Sequence, residues 1–103
     1  MEVQDQVDGG WFLLREGNHH YLAVNCHLPL VDISLLIRLE PDEETELHAL
    51  GRTFADYLAA KVAYWPDRYR PRDLDRELGA EVDAAVARWR AGAVPREGSG
   101  GSA

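Results

Sequence analysis

The chain has 103 residues, a formal net charge of −7 and 46% hydrophobic residues. This fits one ordinary domain and argues against sequence-independent nucleic-acid binding, which needs a basic footprint. A single cysteine permits no internal disulfide and points to a reducing, cytoplasmic setting, no N-terminal apolar run resembles a signal peptide, and no stretch approaches the roughly 20 apolar residues of a membrane span.

Residues 1–8 are mostly polar and read as a loosely held arm. Three extended segments follow, at Trp11–Arg15, His20–Cys26 and Asp32–Leu39, the last of which alternates like a strand. Gly17-Asn18 suits a tight hairpin between the first two, and Leu28-Pro29-Leu30-Val31 suits a turn between the second and third. Turn length sets register. A two-residue turn at Gly17-Asn18 puts Leu13 opposite Leu22 and Trp11 opposite Val24, whereas a three-residue loop would flip the first strand and bury Phe12 and Leu14. A four-residue loop puts Val24 opposite Leu35, Leu22 opposite Ile37 and Cys26 opposite Ile33. One face then collects Trp11, Leu13, Leu22, Val24, Cys26, Ile33, Leu35, Ile37 and Leu39.

At Pro41 the apolar period changes from two to about 3.6, which marks a sheet–helix corner. A first helix is expected over Asp42–Trp65, with Pro41 at its start and Asp42, Glu43, Glu44 and Glu46 complementing its dipole. Its stripe is Leu47, Leu50, Phe54, Leu58, Val62 and Trp65. The parallel line of Gly51, Ala55, Ala59 and Ala63 suggests close approach of another element. Trp65-Pro66 ends this helix, because a residue before proline avoids helical geometry. A second helix is expected over Asp73–Ala91, capped by Asp73, striped with Leu74, Leu78, Val82, Val86 and Trp89, and stopped at Gly92. The sum is a two-layer α+β fold: a three-stranded antiparallel meander packed on one face by a two-helix hairpin, in the order β-β-β-α-α. Residues 1–92 form the domain and 93–103 a flexible Gly/Ser-rich tail. The hairpin brings Arg88 and Arg90 toward the acidic start of the first helix.

No catalytic or cofactor motif stands out, and no reaction, metal or cofactor is assigned. The leading candidate site is the sheet's outer face, where Phe12, Ala23 and Leu36 form one row and Leu14, Tyr21 and Arg38 another. Apolar patches on an otherwise solvated sheet mark interfaces, so the expectation is a homodimer through this face, or another protein bound there. Arg68, Arg70 and Arg72 form a possible anion-binding segment beside the second helix. His19, His20, His27 and His48 match no metal-ligand spacing. Cys26 and His27, adjacent on a strand, point to opposite faces, so Cys26 reads as a core residue. The working expectation is a small acidic protein of bacterial origin that acts by binding protein, without nucleic-acid or membrane partners. The alternatives are an immunity- or inhibitor-type protein whose acidic run Glu40–Glu46 meets a basic toxin or effector, and a small ligand- or metal-binding domain.

Overall fold

Four antiparallel strands form one sheet in the order β1-β2-β3-β4: β1 (Glu2–Val7), β2 (Trp11–Glu16), β3 (His19–His27) and β4 (Asp32–Arg38). Four helices follow, α1 (Pro41–Leu50), α2 (Arg52–Tyr64), α3 (Pro66–Tyr69) and α4 (Asp75–Ser102), with a 3-10 turn at Arg70–Arg72 before α4. The computed structural model describes residues 1–27, 30 and 32–102, with side chains to Gly92. Most of the expected turn at Leu28–Val31 and the side chains of the Gly/Ser-rich tail therefore lie outside the described residues.

The β2–β3–β4 register is the one that turn lengths dictate. Leu13 pairs with Leu22, Trp11 with Val24, Val24 with Leu35, Leu22 with Ile37 and Cys26 with Ile33. Gly17 alone in the first turn has positive φ, at 61°, which is the pattern of a type II′ hairpin. The resulting inner face joins Trp11, Leu13, Leu22, Val24, Cys26, Leu35, Ile37 and Leu39 to Leu47 of α1 and to Phe54, Leu58 and Val62 of α2. Of the small-residue line, Ala55 and Ala59 face this core and are buried, whereas Gly51 and Ala63 are exposed.

Three expectations are corrected. The N-terminal arm is a strand: β1 pairs with β2 through a Val7–Trp11 turn closed by Gly10 N–H donating to the Val7 carbonyl at 2.9 Å. An irregularity between Val3 and Asp5 shifts the pairing. Such a bulge turns the side chains after it to the other face. Val7 accordingly packs on the inner core, while Val3 packs on the opposite side of the sheet.

The first helix is two helices. Gly51 sits between them at φ 60° and ψ −134°, a conformation that side-chain-bearing residues avoid. A Cβ there would meet nothing within 4 Å. Backbone conformation, and not close packing, therefore explains this glycine. The break leaves Leu50 52% exposed, outside the core stripe to which its spacing assigned it.

The third correction changes the architecture. α4 does not fold beside α1 and α2. It crosses to the other face of the sheet, where Leu14, Tyr21 and Leu36 form a second core with Val82 and Ala85. Leu74, Leu78 and Val86 pack against its margin. The helical stripe is where periodicity placed it, but its destination differs. Asp73 sets the crossing point. Its Oδ1 accepts the Leu36 N–H on the free edge of β4 and the Asp75 N–H at the start of α4, both at 3.0 Å. Leu74 N–H donates to the Leu36 carbonyl at 2.7 Å. The chain is thus tied across the sheet edge, and α4 continues over the far side. Gly92 lies within α4 and does not end it. The molecule is an α+β fold whose four-stranded antiparallel sheet is covered by helices on both faces.

Candidate interaction surface

The outer-face residues do lie on one side of the sheet, in the expected rows. They are not an open surface. Leu14, Leu36 and Tyr21 are buried beneath α4, at 0%, 2% and 7% exposure. Phe12 and Ala23 are half-buried and, with Leu36, floor an open groove of about 450 Å³ at the side of α4. Trp89 stands edge-on to Phe12 at a centroid distance of 5.7 Å. Arg38 is exposed and borders a separate cleft of about 710 Å³ with His19, Glu40, Glu44 and Arg72.

The charged groups around that cleft are largely committed to one another. Arg72 forks onto Glu43, with Nη1 to Oε2 at 3.0 Å and Nη2 to Oε1 at 2.6 Å. It also donates to the Arg38 carbonyl at 2.9 Å. Glu43 accepts the Glu40 N–H at the start of α1. Glu44 accepts the His20 N–H at 2.8 Å and lies 2.6 Å from His20 Nδ1. The acidic run therefore holds the 3-10 turn and β3 to the first turn of α1, besides complementing the helix dipole. Arg88 and Arg90 do not reach it. Arg88 donates to the Met1 carbonyl and Arg90 lies over the Phe12 ring.

The anion-binding segment is dispersed in the same way. Arg72 is bound to Glu43, Arg70 donates to Asp67 at 2.8 Å, and Arg68 lies over the Trp65 ring at 5.5 Å. The three guanidinium groups therefore make three different contacts, while Tyr69 between them is buried in the inner core.

His27 faces Asp32 on β4. Its Nδ1 is 3.2 Å from the carboxylate and its Nε2 is 3.3 Å from the Gly9 carbonyl. The Asp32 hydrogen bond first, and the Gly9 carbonyl second, raise the His27 pKa above its ordinary value. His48 is exposed on α1. Cys26 is fully buried and its thiol pKa is pushed up by desolvation, the opposite of what an activated thiolate requires. Among the described residues there is no group of three His, Cys, Asp or Glu that could hold a metal ion, and no helix is long and apolar enough to cross a membrane.

A different surface stands out. Along α2, Phe54, Ala55, Leu58, Ala59 and Val62 face the core. The outward side from residue 57 to 65 carries Tyr57, Ala60, Lys61, Ala63, Tyr64 and Trp65, with no carboxylate. Tyr57, Tyr64 and Trp65 are 57%, 75% and 46% exposed. Helices that are apolar on nearly every side are ordinarily buried on every side. The chain geometry explains why these rings converge. α2 ends at Tyr64, Trp65 takes a non-helical conformation before Pro66, and Pro66 starts α3. The Tyr64 and Trp65 rings then lie 4.7 Å apart at the corner. Lys61 Nζ sits 5.2 Å over the Tyr57 ring, as Arg68 does over Trp65. The result is two aromatic and cationic groups on one stretch of the chain, Tyr57 with Lys61 and Tyr64–Trp65 with Arg68. Their signal is present in the sequence as Tyr57-Leu-Ala-Ala-Lys-Val-Ala-Tyr-Trp65, a nine-residue run with one charge. Assigning Trp65 to the core stripe hides it.

No protein-family model matches the chain, and no curated protein or solved structure shows significant similarity to it.

Proposed function

We propose that this chain is a small non-enzymatic protein-interaction module whose contact surface is the outward face of α2 and α3. The observation that carries the reading is the exposure of Tyr57, Tyr64 and Trp65 along and just after a helix whose opposite face is already core. Tyr, Trp and Arg dominate the energetics of protein interfaces, and an apolar patch of this kind on a highly charged chain is an interaction feature. Self-association through the outer sheet face loses its surface to α4, so the protein contact moves to α2. A cytoplasmic location belongs to the same reading and rests on the single buried thiol.

The inhibitor-type alternative is less well supplied. Glu43 and Glu44 are drawn into contacts with Arg72 and His20, which leaves Asp42 and Glu46 as the exposed remainder of the acidic turn of α1.

The test is photo-crosslinking in the cells that naturally make the protein. A benzophenone amino acid replaces Tyr64 in one variant and Ala84, exposed on α4, in another. Adducts to protein are expected from position 64 and not from position 84. No adduct from position 64, or equal adducts from both, overturns the reading.

A further inference from the structure

We infer that the α2–α3 face takes an acidic segment of a different protein, one in which carboxylates flank an apolar or aromatic side chain. This rests on the interaction reading above and adds the chemistry of the occupant.

Charge complementarity carries the inference. The chain has 18 acidic side chains and 11 basic ones, yet none of the acidic ones falls between Tyr57 and Pro66, so this face departs from the acidic average of the sequence. Arg52 pairs with Asp5, Arg70 with Asp67 and Arg72 with Glu43. Lys61 and Arg68 make no ion pair among the described residues, and neither do Arg15, Arg38, Arg76, Arg88 and Arg90; Lys61 and Arg68 are distinguished by lying on the run of exposed Tyr and Trp rings. The carboxylates nearest in sequence are occupied elsewhere, since Asp56 accepts the Trp11 indole N–H at 3.0 Å and Asp67 holds Arg70. Lys61 and Arg68 instead lie over exposed aromatic rings, at 5.2 and 5.5 Å. Such stacking orients a cation at an exposed site while leaving its donors open. The face thus presents two positive groups separated by the Tyr64–Trp65 pair. A ligand segment matching it puts carboxylates at the ends and an apolar group between the rings.

The same pattern disfavours a second copy. A two-fold dimer built on α2 brings Lys61 and Arg68 of one copy to the same cationic patch of the other, and like charges facing each other across an interface are repulsive. A head-to-tail contact with the acidic α1 of another copy does not close and leads to open chains.

Amide-resolved NMR on the full chain tests the idea, with a random glutamate–tyrosine copolymer as probe and poly-glutamate as the charge-only control. Shifts are expected in residues 57–68, with the copolymer binding about tenfold or more tightly than poly-glutamate, and with a loss of about tenfold or more in the Lys61→Glu/Arg68→Glu variant. Both substituted positions lie outside the buried core, and a thermal melt matching the parent chain verifies the fold. No shifts, shifts elsewhere on the molecule, equal binding of poly-glutamate, or binding indifferent to the charge reversal each overturn the inference. So does sedimentation that reveals a concentration-dependent dimer abolished by Tyr64→Glu, because the occupant is then a second copy. The photo-crosslink at position 64 separates the two levels. An adduct to another protein that survives charge reversal and high salt keeps the interaction face and removes the acidic partner, whereas no adduct at all removes the face itself.

Discussion

The two faces of the sheet are both buried, yet they are built differently. Beneath α1 and α2 the inner face forms a large core in which Leu22, Cys26, Ile37 and Val62 are fully excluded from solvent. Beneath α4 the outer core consists of five buried residues, with Phe12, Ala23, Leu74, Leu78 and Val86 only partly covered and a groove left along one side. The difference teaches that α4 is the more lightly held layer. Its position depends as much on the edge contacts of Asp73 and Leu74 with Leu36 as on the apolar stripe it lays across the sheet.

Truncation is the strongest way to test that contrast. Ile37→Ala opens a cavity in the inner core and is expected to lower unfolding stability by about 3–5 kcal/mol in denaturant titration. Leu36→Ala, one residue away on the other face, is expected to cost about 2–4 kcal/mol. If α4 left that face open, the cost of Leu36→Ala would fall to a few tenths, and the three-layer arrangement would fail with it. Gly51→Ala forces a side chain into a conformation suited to glycine and should cost about 1–3 kcal/mol despite the empty space around it. A neutral or stabilising result there would mean that α1 and α2 can run on as one helix. Asp73→Ala removes an acceptor used by both Leu36 and Asp75 and is expected to cost about 1–2 kcal/mol. Hydrogen exchange then shows whether α4 opens ahead of α2, as the comparison of the two layers requires.

The smallest effect concerns His27. Asp32 and the Gly9 carbonyl favour the protonated imidazole, so its folded pKa lies above its unfolded one. The contribution to stability is complete at pH values below the unfolded pKa and is lost as pH rises through the folded pKa. An NMR titration should place His27 above its ordinary value, and Asp32→Asn should bring it down. An unchanged titration in that variant shows that the pair does not persist in solution.

Some of the fold was legible in particular residues. Read as a two-residue turn, Gly17-Asn18 gives the observed β2–β3 register, and the alternation from Leu22 to Leu39 sorted side chains correctly between the two faces. Asp8-Gly9-Gly10 carried a hairpin signal for β1, but Val3 and Val7 lie four residues apart and pack on opposite faces across a bulge, so no clean alternation announced the strand. The candidate interaction face was visible only as a local excess of apolar residues, because spacing alone does not distinguish an exposed Trp65 from a buried one.

Composition, alternation and turn chemistry by themselves determined the local elements of this protein and the facing of most of their side chains, since backbone sterics and period act over a few residues. Which side of the sheet α4 covers was decided only in three dimensions. An amphipathic stripe is satisfied by any apolar surface within reach, and here the β4 edge, with its Leu36 N–H and carbonyl tied to Asp73 and Leu74, directed the chain to the far face. That choice closed one apolar surface, while the aromatic side of α2 still faces water.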